Sequence, residues 1–244
     1  MTGLRELLSQ ARDRGYLGDQ PIQRHIDHAS GFSLVVSALM SGKAVAGDQA
    51  IQDGSEAPDG SLIDLGAGAG IPGLVLALAP PVGIHRIVLL EGSERRAEWL
   101  ESSIELLRLA QSVEVLGLRA ELAGRTPSWR HSAVVAVARS FGRPGVVAEC
   151  AAPLLRLGGY LVVSEPPFRG ENVVPEAPEV GARELSSSDG VEARWPPAHV
   201  AALGFSPARE WRAGGFRYAV LRVDTACPDR YPRRDGIPAK RPLF

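Results

Sequence analysis

Cysteine is scarce in this chain, which limits the roles that sulfur chemistry can play. The 244 residues contain only Cys150 and Cys227, and no CxxC pair occurs. So small a number is typical of proteins in a reducing compartment and argues against a structural zinc site. Among the five histidines, the spacing His25-x-x-His28 is isolated and is weak as a ligand pattern. We therefore expect no metal cofactor.

Long apolar runs and a strong charge bias are also missing. No stretch approaches the roughly 20 apolar residues of a membrane span, and residues 1–6 lack the apolar core of a signal peptide. These absences predict a soluble, cytoplasmic protein with no membrane partner. The net charge of −1 is unlike the basic footprint of most nucleic-acid-binding domains. Charge is nevertheless segregated, because residues 205–244 hold nine Lys/Arg against four Asp/Glu, whereas residues 165–192 hold two against seven.

Glycine, by contrast, is concentrated where it can build a binding turn. Residues 61–73 read SLIDLGAGAGIPG, which predicts a buried strand, a glycine-rich turn and the start of a helix. Glycine lets the backbone turn tightly and approach a ligand where any Cβ would collide. Pro72 suits the first turn of a helix, where its missing N–H costs nothing. The pattern predicts a cradle for a cofactor.

Two cofactors compete for this cradle. The spacing G-x-G-x-x-G over 68–73 fits the dinucleotide fingerprint, with Glu91 as the acid that follows about 20 residues later. The spacing D-x-G-x-G-x-G over 64–70 instead fits the first motif of class I methyltransferases, which use S-adenosylmethionine (SAM). The second interpretation is favoured, because a pyrophosphate would be repelled by Asp64, whereas the ammonium group of SAM would be attracted. A glycine-rich turn without a ligand is the remaining alternative.

Strand and helix patterns alternate along the chain, which indicates a parallel sheet with helices on both faces. The predicted elements are strands over 62–65, 86–90, 113–118, 133–138 and 160–163, and helices over 4–17, 22–40, 72–79, 94–110 and 145–155. Two further strands, 208–212 and 216–223, are joined by Gly214-Gly215 in the manner of a hairpin. A mostly parallel, seven-stranded sheet that ends in an antiparallel hairpin is the Rossmann-like α/β fold of class I SAM-dependent methyltransferases.

Three parts are expected along the chain. Residues 1–60 form a small helical N-terminal cap that ends in a linker over 41–60. Residues 61–228 form the methyltransferase domain, and residues 229–244 form a basic C-terminal tail. Within the domain, residues 165–197 hold six prolines and are predicted to form a long acidic loop.

Five segments share the motifs of one known family. They are 62–73, similar to V/I-D-x-G-x-G-x-G-x-P-G; 88–96, similar to the second strand and its following basic pair; Arg119-Ala120-Glu121, similar to G-R-A-E-E; Ala138-Arg139-Ser140-Phe141, similar to S-R-A-F; and 230–243, similar to R-Y-P-R-K-x-G-x-P-x-K-x-P-L. The ending is the most specific, because no general fold rule demands it. Over about residues 20–244 the chain thus resembles the bacterial RsmG (GidB) methyltransferases, which act on guanine N7 of small-subunit ribosomal RNA.

The resemblance implies a SAM-dependent methyltransferase and a set of site residues. Glu91 ends a predicted strand and is expected to accept hydrogen bonds from the ribose hydroxyls, with Ala120 and Glu121 beside the adenine. Arg139 is expected to be the catalytic residue, on the cofactor or the substrate side. The expected cofactor-binding residues are Asp64, Gly66, Gly68, Gly70, Ile71, Glu91, Ala120, Glu121 and Arg139. The expected substrate-binding residues are His25, Arg230, Arg233, Arg234 and Lys240.

The chemistry that the resemblance implies requires little from a general base. Guanine N7 carries a lone pair in its neutral form, so catalysis can rest on orientation and proximity. The expected partner is ribosomal RNA or the small ribosomal subunit, whose phosphates the basic tail would contact. Because the cradle belongs to the first half of the sheet, removal of residues 229–244 is expected to change SAM affinity little.

Departures from the family pattern lie on the expected substrate side. The family's H-x-x-D-S motif appears here only as His25-Ile26-Asp27-His28-Ala29, and Glu165 replaces the lysine that usually ends the fifth strand. Two alternatives therefore stay open. One is a methyltransferase of the same fold that acts on a small molecule or a protein, and the other is a SAM-binding module without catalysis.

Overall fold

The computed structural model describes residues 2–42, 60–167, 182–184 and 189–244. Residues 43–59 of the expected linker and residues 168–181 and 185–188 of the expected acidic loop 165–197 lie outside the described residues. The helices are α1 Thr2–Asp13, α2 Ile22–Met40, α3 Gly73–Leu78, α4 Glu94–Leu106, α5 Ala120–Ala123, α6 Pro144–Ala151, α7 Asp189–Arg194, α8 Pro197–Ala201 and α9 Ile237–Lys240. The strands are β1 Ser61–Leu65, β2 Arg86–Leu90, β3 Val113–Leu116, β4 Ala133–Ala138, β5 Leu155–Glu165, β6 Ala182–Glu184, β7 Arg209–Ala213 and β8 Phe216–Arg222.

Within the described residues, eight strands form one sheet in the order β3-β2-β1-β4-β5-β8-β7-β6. The strands β1 to β5 pair in parallel, whereas β5–β8, β8–β7 and β7–β6 pair antiparallel. In this register Leu65 stands beside Leu90 of β2 and Ala138 of β4. The carboxyl ends of β1, β2 and β4 therefore meet at one edge. The predicted α/β class, with a parallel sheet that ends in an antiparallel hairpin, is confirmed.

The central strands are apolar because both faces of the sheet are covered. Every residue of β1 and β4 is buried, as expected for parallel strands between two helical layers. One core layer includes Phe32 of α2 and Leu74 of α3, and the other includes Leu154 and Trp195. At the carboxyl edge of the sheet the two helical layers leave a cavity between them.

The expected loop over 165–197 is partly regular, which corrects that prediction. The strand β6 extends the hairpin as an eighth strand, with Glu184 beside Trp211 of β7. The helix α7 follows, and Trp195 directly after it is fully buried. Proline density and charge predicted a loop, but burial of Val191 and Trp195 fixes the end of this segment against the sheet. β5 is also longer than predicted, since it begins at Leu155.

The helix α2 docks on the hairpin through one close contact. The hydroxyl of Tyr218 donates a hydrogen bond of 2.8 Å to the carbonyl of His28. A Cβ at Gly31 would lie only 2.1 Å from the Tyr218 hydroxyl, so glycine is required for this approach. The contact places the connection between α1 and α2 at the carboxyl edge of the sheet.

Candidate functional site

A cavity of about 710 Å³ opens at the carboxyl ends of β1, β2 and β4. Ligands of open α/β sheets bind at this edge, outside the strand ends. The lining includes seven of the nine expected cofactor-binding residues, namely Gly66, Gly68, Ile71, Glu91, Ala120, Glu121 and Arg139. It also includes His25, which was expected to bind substrate. The structure thus brings residues from α2, β1, β2, β4 and α5 to one place.

The glycine-rich turn forms the floor of the cavity. The amides of Gly66 and Ala67 both donate to the carbonyl of Leu90, which holds the turn against β2. Gly66 and Gly68 have φ values of 66° and 56°, a left-handed conformation that favours glycine. A Cβ at Gly66 would lie 2.5 Å from Cδ2 of Phe141. At Gly66 the missing Cβ makes room for the ring of Phe141, whereas a Cβ at Gly68 would contact only the carbonyl of Gly66, at 3.6 Å, so Gly68 leaves space beside its backbone.

Glu91 is buried at the end of β2 and is held by three donors. Its Oε2 accepts the amide of Gly68 at 3.0 Å, and its Oε1 accepts the amide of Ser93 at 2.8 Å and Nη2 of Arg96 at 2.7 Å. An ionised carboxylate offers about four acceptor positions. The carboxylate of Glu91 is thus fixed in orientation and has capacity left for a ligand.

Asp64 and Gly70 do not line the cavity, although both were expected to touch the cofactor. The Oδ2 of Asp64 accepts the amide of Gly73 at 2.8 Å and ties β1 to α3. Its Oδ1 is buried with no partner among the described residues, and burial raises the pKa of this carboxyl from 3.8 to about 7. A Cβ at Gly70 would lie 2.3 Å from Cδ1 of Leu74, so this glycine allows helix packing.

Arg139 and His25 contact each other at the wall of the cavity. The Nη2 of Arg139 donates to Nδ1 of His25, whose Nε2 donates to the carbonyl of Gly18 at 3.1 Å. This arrangement defines a neutral imidazole with the proton on Nε2. Burial lowers the pKa of His25, and the Arg139 charge acts in the same direction. The Nη1 of Arg139 is buried and has no partner among the described residues, so it remains available for an anionic ligand.

Burial is also the main influence on Arg139 itself. It lowers the pKa of the guanidinium, whereas Tyr218 and Asp64 act in the opposite direction. Arg139 follows β4 directly, and Ser140 after it adopts a φ of 57°, which is rare for a residue other than glycine. This conformation turns the chain so that Ser140 and Phe141 both line the cavity.

The C-terminal segment reaches the same cavity. The Oε1 of Glu121 accepts the amide of Gly236 at 3.1 Å, and Ala239 is part of the lining. Arg119 forms an ion pair with Asp235. Sequence reasoning placed this segment on the substrate side alone, but the structure places it at the cavity wall.

The basic residues of the tail have different environments. Arg233 is paired with Glu149, a fully buried carboxylate of α6. The guanidinium of Arg230 stacks over the ring of Tyr231 at 5.0 Å. Arg234 and Lys240 are exposed. Arg233 therefore has a structural partner, whereas the other three expected substrate-binding residues of the tail lie at the surface.

Glu165 is buried at the end of β5 and its charge is matched. Its Oε1 accepts Nε1 of Trp195 at 2.9 Å, and its Oε2 pairs with Arg194 at 2.5 Å. Burial raises the pKa of Glu165, and the contacts with Trp195 and Arg194 oppose this. Glu165, at the position where the resemblance predicts a lysine, thus anchors Arg194 and Trp195, near the end of the expected loop 165–197, to the end of β5.

Several lining residues carried no signal that sequence reasoning could use. The connection after α1 supplies Tyr16, Leu17 and Gly18. Tyr16 packs edge-on against Trp99 of α4, with ring centroids 6.2 Å apart, which holds this connection over the cavity. The sequence predicted a helix over 4–17, which is wrong at its end, because α1 stops at Asp13 and residues 14–21 form the connection to α2. Cys150 also lines the cavity, and burial raises the pKa of its thiol.

In the described ranges, no group of three or more His, Cys, Asp or Glu side chains is arranged to hold a metal ion. No helix in the same ranges combines the length and the apolar composition needed to cross a membrane.

The polar groups that line the cavity fit those of SAM. The bare glycine backbone leaves room for close approach of a ligand, Glu91 can accept hydroxyl protons, and the unpartnered Nη1 of Arg139 suits an anionic group. Together with the sheet topology, these features define a class I SAM-dependent methyltransferase. Comparison with known proteins gives the family. The profile described as rRNA small subunit methyltransferase G (GidB) matches residues 46–183, more than half of the chain. The chain belongs to this family.

Similar proteins support the same conclusion. Proteins named ribosomal RNA small subunit methyltransferase G are 35% identical in Syntrophomonas wolfei, over 75% of this chain and 76% of that protein, and 34% identical in Chloroflexus aggregans, over 75% and 69%. Two solved structures share the fold at low identity. An O-methyltransferase from Bacillus cereus in complex with SAH has a TM-score of 0.55 at 18% identity, covering 91% of this chain and 90% of that one. A Corynebacterium glutamicum protein has a TM-score of 0.50 at 16% identity, covering 92% and 91%.

Proposed function

We propose that this chain methylates N7 of a guanine in small-subunit ribosomal RNA, within the cytoplasm. The observation that carries the proposal is that the acidic and basic side chains His25, Glu91 and Glu121 at the cavity are already hydrogen-bonded within the protein. His25 uses both ring nitrogens, and Glu91 and Glu121 each accept bonds from the protein. Such a site suits a nucleophile that needs no deprotonation, and guanine N7 is an acceptor with a free lone pair. The names of the curated relatives point to the same RNA.

Each lining residue then has a defined task. When bound, SAM supplies an electrophilic methyl group on its sulfonium. Glu91 would accept the ribose hydroxyls, while Ala120 and Glu121 would lie beside the adenine. Arg139, oriented by His25, would donate from Nη1 to a carboxylate or a phosphate, a charge-assisted contact. Catalysis would rest on holding the acceptor and the methyl donor in line.

The parts of the chain would divide this work. The N-terminal part, with α1 and α2, would cover the cavity through the connection after α1, and residues 61–228 would provide most of the cofactor site. Exposed basic residues of 229–244 would contact RNA phosphates. Glu165 does not oppose this arrangement, since Arg194 matches its charge.

A transfer assay tests the proposal. Purified protein is incubated with methyl-labelled SAM and small ribosomal subunits from cells of the source organism that lack the gene, and the RNA is digested to nucleosides. We expect label in 7-methylguanosine, and with the Arg139→Ala variant an initial rate of labelling at least about tenfold lower. Label in a low-molecular-weight fraction or in protein would instead support a methyltransferase with another substrate. Cofactor binding with no transfer to any of these would support a non-catalytic SAM-binding module.

A further inference from the structure

The C-terminal segment 229–244 packs along the cofactor cavity. Its Gly236 amide donates to Oε1 of Glu121, and its Asp235 pairs with Arg119. Its Ala239 lines the cavity directly. Residues 235–239 thus touch the side of the cavity formed by the start of α5. Any movement of this segment would open that side to solvent.

Two arginines fix the segment to the body of the protein. Arg130 donates from Nη1 to the carbonyl of Tyr231 and from Nη2 to the carbonyl of Cys227, both at 2.9 Å. Further along, Arg233 pairs with Glu149 of α6. The first contact anchors the entry to the segment, and the second lies immediately before the residues at the cavity.

The Arg233–Glu149 pair has the geometry of a firm anchor. Oε1 of Glu149 accepts the amide of Arg233 at 2.8 Å and its Nε at 2.9 Å, while Oε2 accepts Nη2 at 2.7 Å. The same Nη2 donates to the carbonyl of Arg241 at 2.6 Å. Arg233 therefore holds both ends of the stretch 234–240. Glu149 is fully buried, and removing one partner of a buried ion pair is strongly destabilising.

We propose that Arg233 and Glu149 are positioning residues of the SAM site. By fixing residues 234–240 they keep the Gly236 amide on Glu121 and keep Ala239 at the cavity wall. The tail is then part of the cofactor site, contrary to the expectation that its removal would leave SAM affinity unchanged. The proposal shares with the proposed function only the assignment of the cavity as the SAM site, and it does not depend on the RNA substrate. Binding of S-adenosylhomocysteine (SAH) is measured without RNA, so a wrong RNA assignment leaves this test valid.

The chain offers a matched control for the loss of a buried ion pair. Arg217 donates from Nε and Nη2 to the two carboxylate oxygens of Glu210, at 2.7 and 2.6 Å, and Glu210 is also buried. Neither residue lines the cavity. Arg233→Gln and Arg217→Gln each remove the guanidinium that pairs with a buried carboxylate. Both variants are therefore expected to lower the melting temperature.

The two variants are compared by calorimetry with SAH at a temperature where both are folded. We expect Arg233→Gln to weaken SAH binding about tenfold, which corresponds to about 1.4 kcal/mol, and Arg217→Gln to bind SAH like the wild type. Equal SAH affinity in Arg233→Gln and wild type would overturn the proposal. Equal weakening in both variants would also overturn it, because the effect would then follow from general destabilisation.

Hydrogen exchange of the wild-type protein provides a second test that does not depend on a variant that folds. If the tail is part of the cofactor site, saturating SAH slows exchange of the Arg233 and Gly236 amides, which donate to Glu149 and Glu121. Unchanged exchange of both amides on SAH binding, with slower exchange only in the glycine-rich turn, would contradict the proposal.

Discussion

The side chains of His25 and Arg139 are hydrogen-bonded to each other at the cavity wall, although 114 residues separate them in the chain. The Nε2 of His25 donates a hydrogen bond to the carbonyl of Gly18, so the imidazole links the connection between α1 and α2 to Arg139 at the end of β4. The guanidinium of Arg139 is thereby oriented with Nη1 unpartnered among the described residues.

Arg139→Ala should lower the rate of methyl transfer at least about tenfold, from the loss of one charge-assisted contact of about 1.5–3 kcal/mol. His25→Ala should lower the rate less, because it affects orientation only. In the Arg139→Ala background the second substitution should add almost nothing, since contacting residues that act together are not additive. Initial rates of all four proteins measure this coupling. Fully additive effects would show that His25 does not act through Arg139.

Gly68→Val should abolish SAH binding in calorimetry. Gly68 lines the cavity, and its left-handed φ of 56° suits glycine, so valine adds both bulk and strain. Gly158→Val is the matched control, because Gly158 has a φ of 76° and lies outside the cavity. The control should lose stability but bind SAH normally. Retained binding in Gly68→Val would disprove the assignment of the cradle.

Glu165→Lys introduces the lysine that the resemblance to the family predicts at this position, yet it should destabilise this protein by about 3–5 kcal/mol, the usual cost of breaking a buried ion pair. The lysine would remove the acceptor of Trp195 and place a like charge beside Arg194. Chemical denaturation measures the change. Glu165→Gln keeps an acceptor for Trp195 and should cost less. If Glu165→Lys were as stable as the wild type, the buried pair would not be the anchor of α7.

The free energy of unfolding should depend on pH in part through the buried imidazole of His28. Burial, reinforced by the charges of Arg139 and Arg24, lowers the pKa of His28 from 6.5 to about 3. Below pH 6.5 the unfolded chain binds a proton that the folded chain does not, so this group lowers the free energy of unfolding as pH falls. Asp64 acts in the opposite direction, because its raised pKa of about 7 makes the folded chain bind the extra proton.

A variant separates these opposing contributions. As the pH falls from 6 to 4, the free energy of unfolding of His28→Phe should rise relative to that of the wild type by about 1.4 kcal/mol for each pH unit. Denaturation curves at three pH values measure this difference. His85→Gln removes a solvated imidazole and leaves the buried one in place, so it serves as the control. A constant difference between His28→Phe and the wild type would mean that His28 is protonated in the folded protein.

Local patterns predicted most of the sheet and much of the cavity. The strands Arg86–Leu90 and Ala133–Ala138 were predicted at their observed bounds, because uninterrupted apolar runs identify buried parallel strands. Gly66, Gly68 and Glu91 were expected at one edge for a related reason, since strand ends meet there. Their roles in binding stay predictions until the variants are measured.

The parts that sequence did not predict depend on long-range contacts. Arg233 was grouped with the phosphate-binding residues, because nothing local indicates that Glu149, 84 residues away, is its partner. Gly70 fits a cofactor motif but packs against Leu74. The negative charge of Glu165 argued against RNA binding in the sequence, but in the structure Arg194 pairs with this carboxylate and Trp195 donates a hydrogen bond to it. Pairings of this kind are decided by tertiary packing alone.

Analysis of ribosomal RNA from a strain that lacks the gene tests the central claim most directly. Small-subunit RNA from the deletion strain, digested to nucleosides and quantified by mass spectrometry, should lack one 7-methylguanosine per molecule relative to the parent strain. Expression of the wild-type chain should restore it, and expression of Arg139→Ala at the same level should restore less of it. An unchanged content of 7-methylguanosine in the deletion strain would contradict the assignment of small-subunit ribosomal RNA as the substrate.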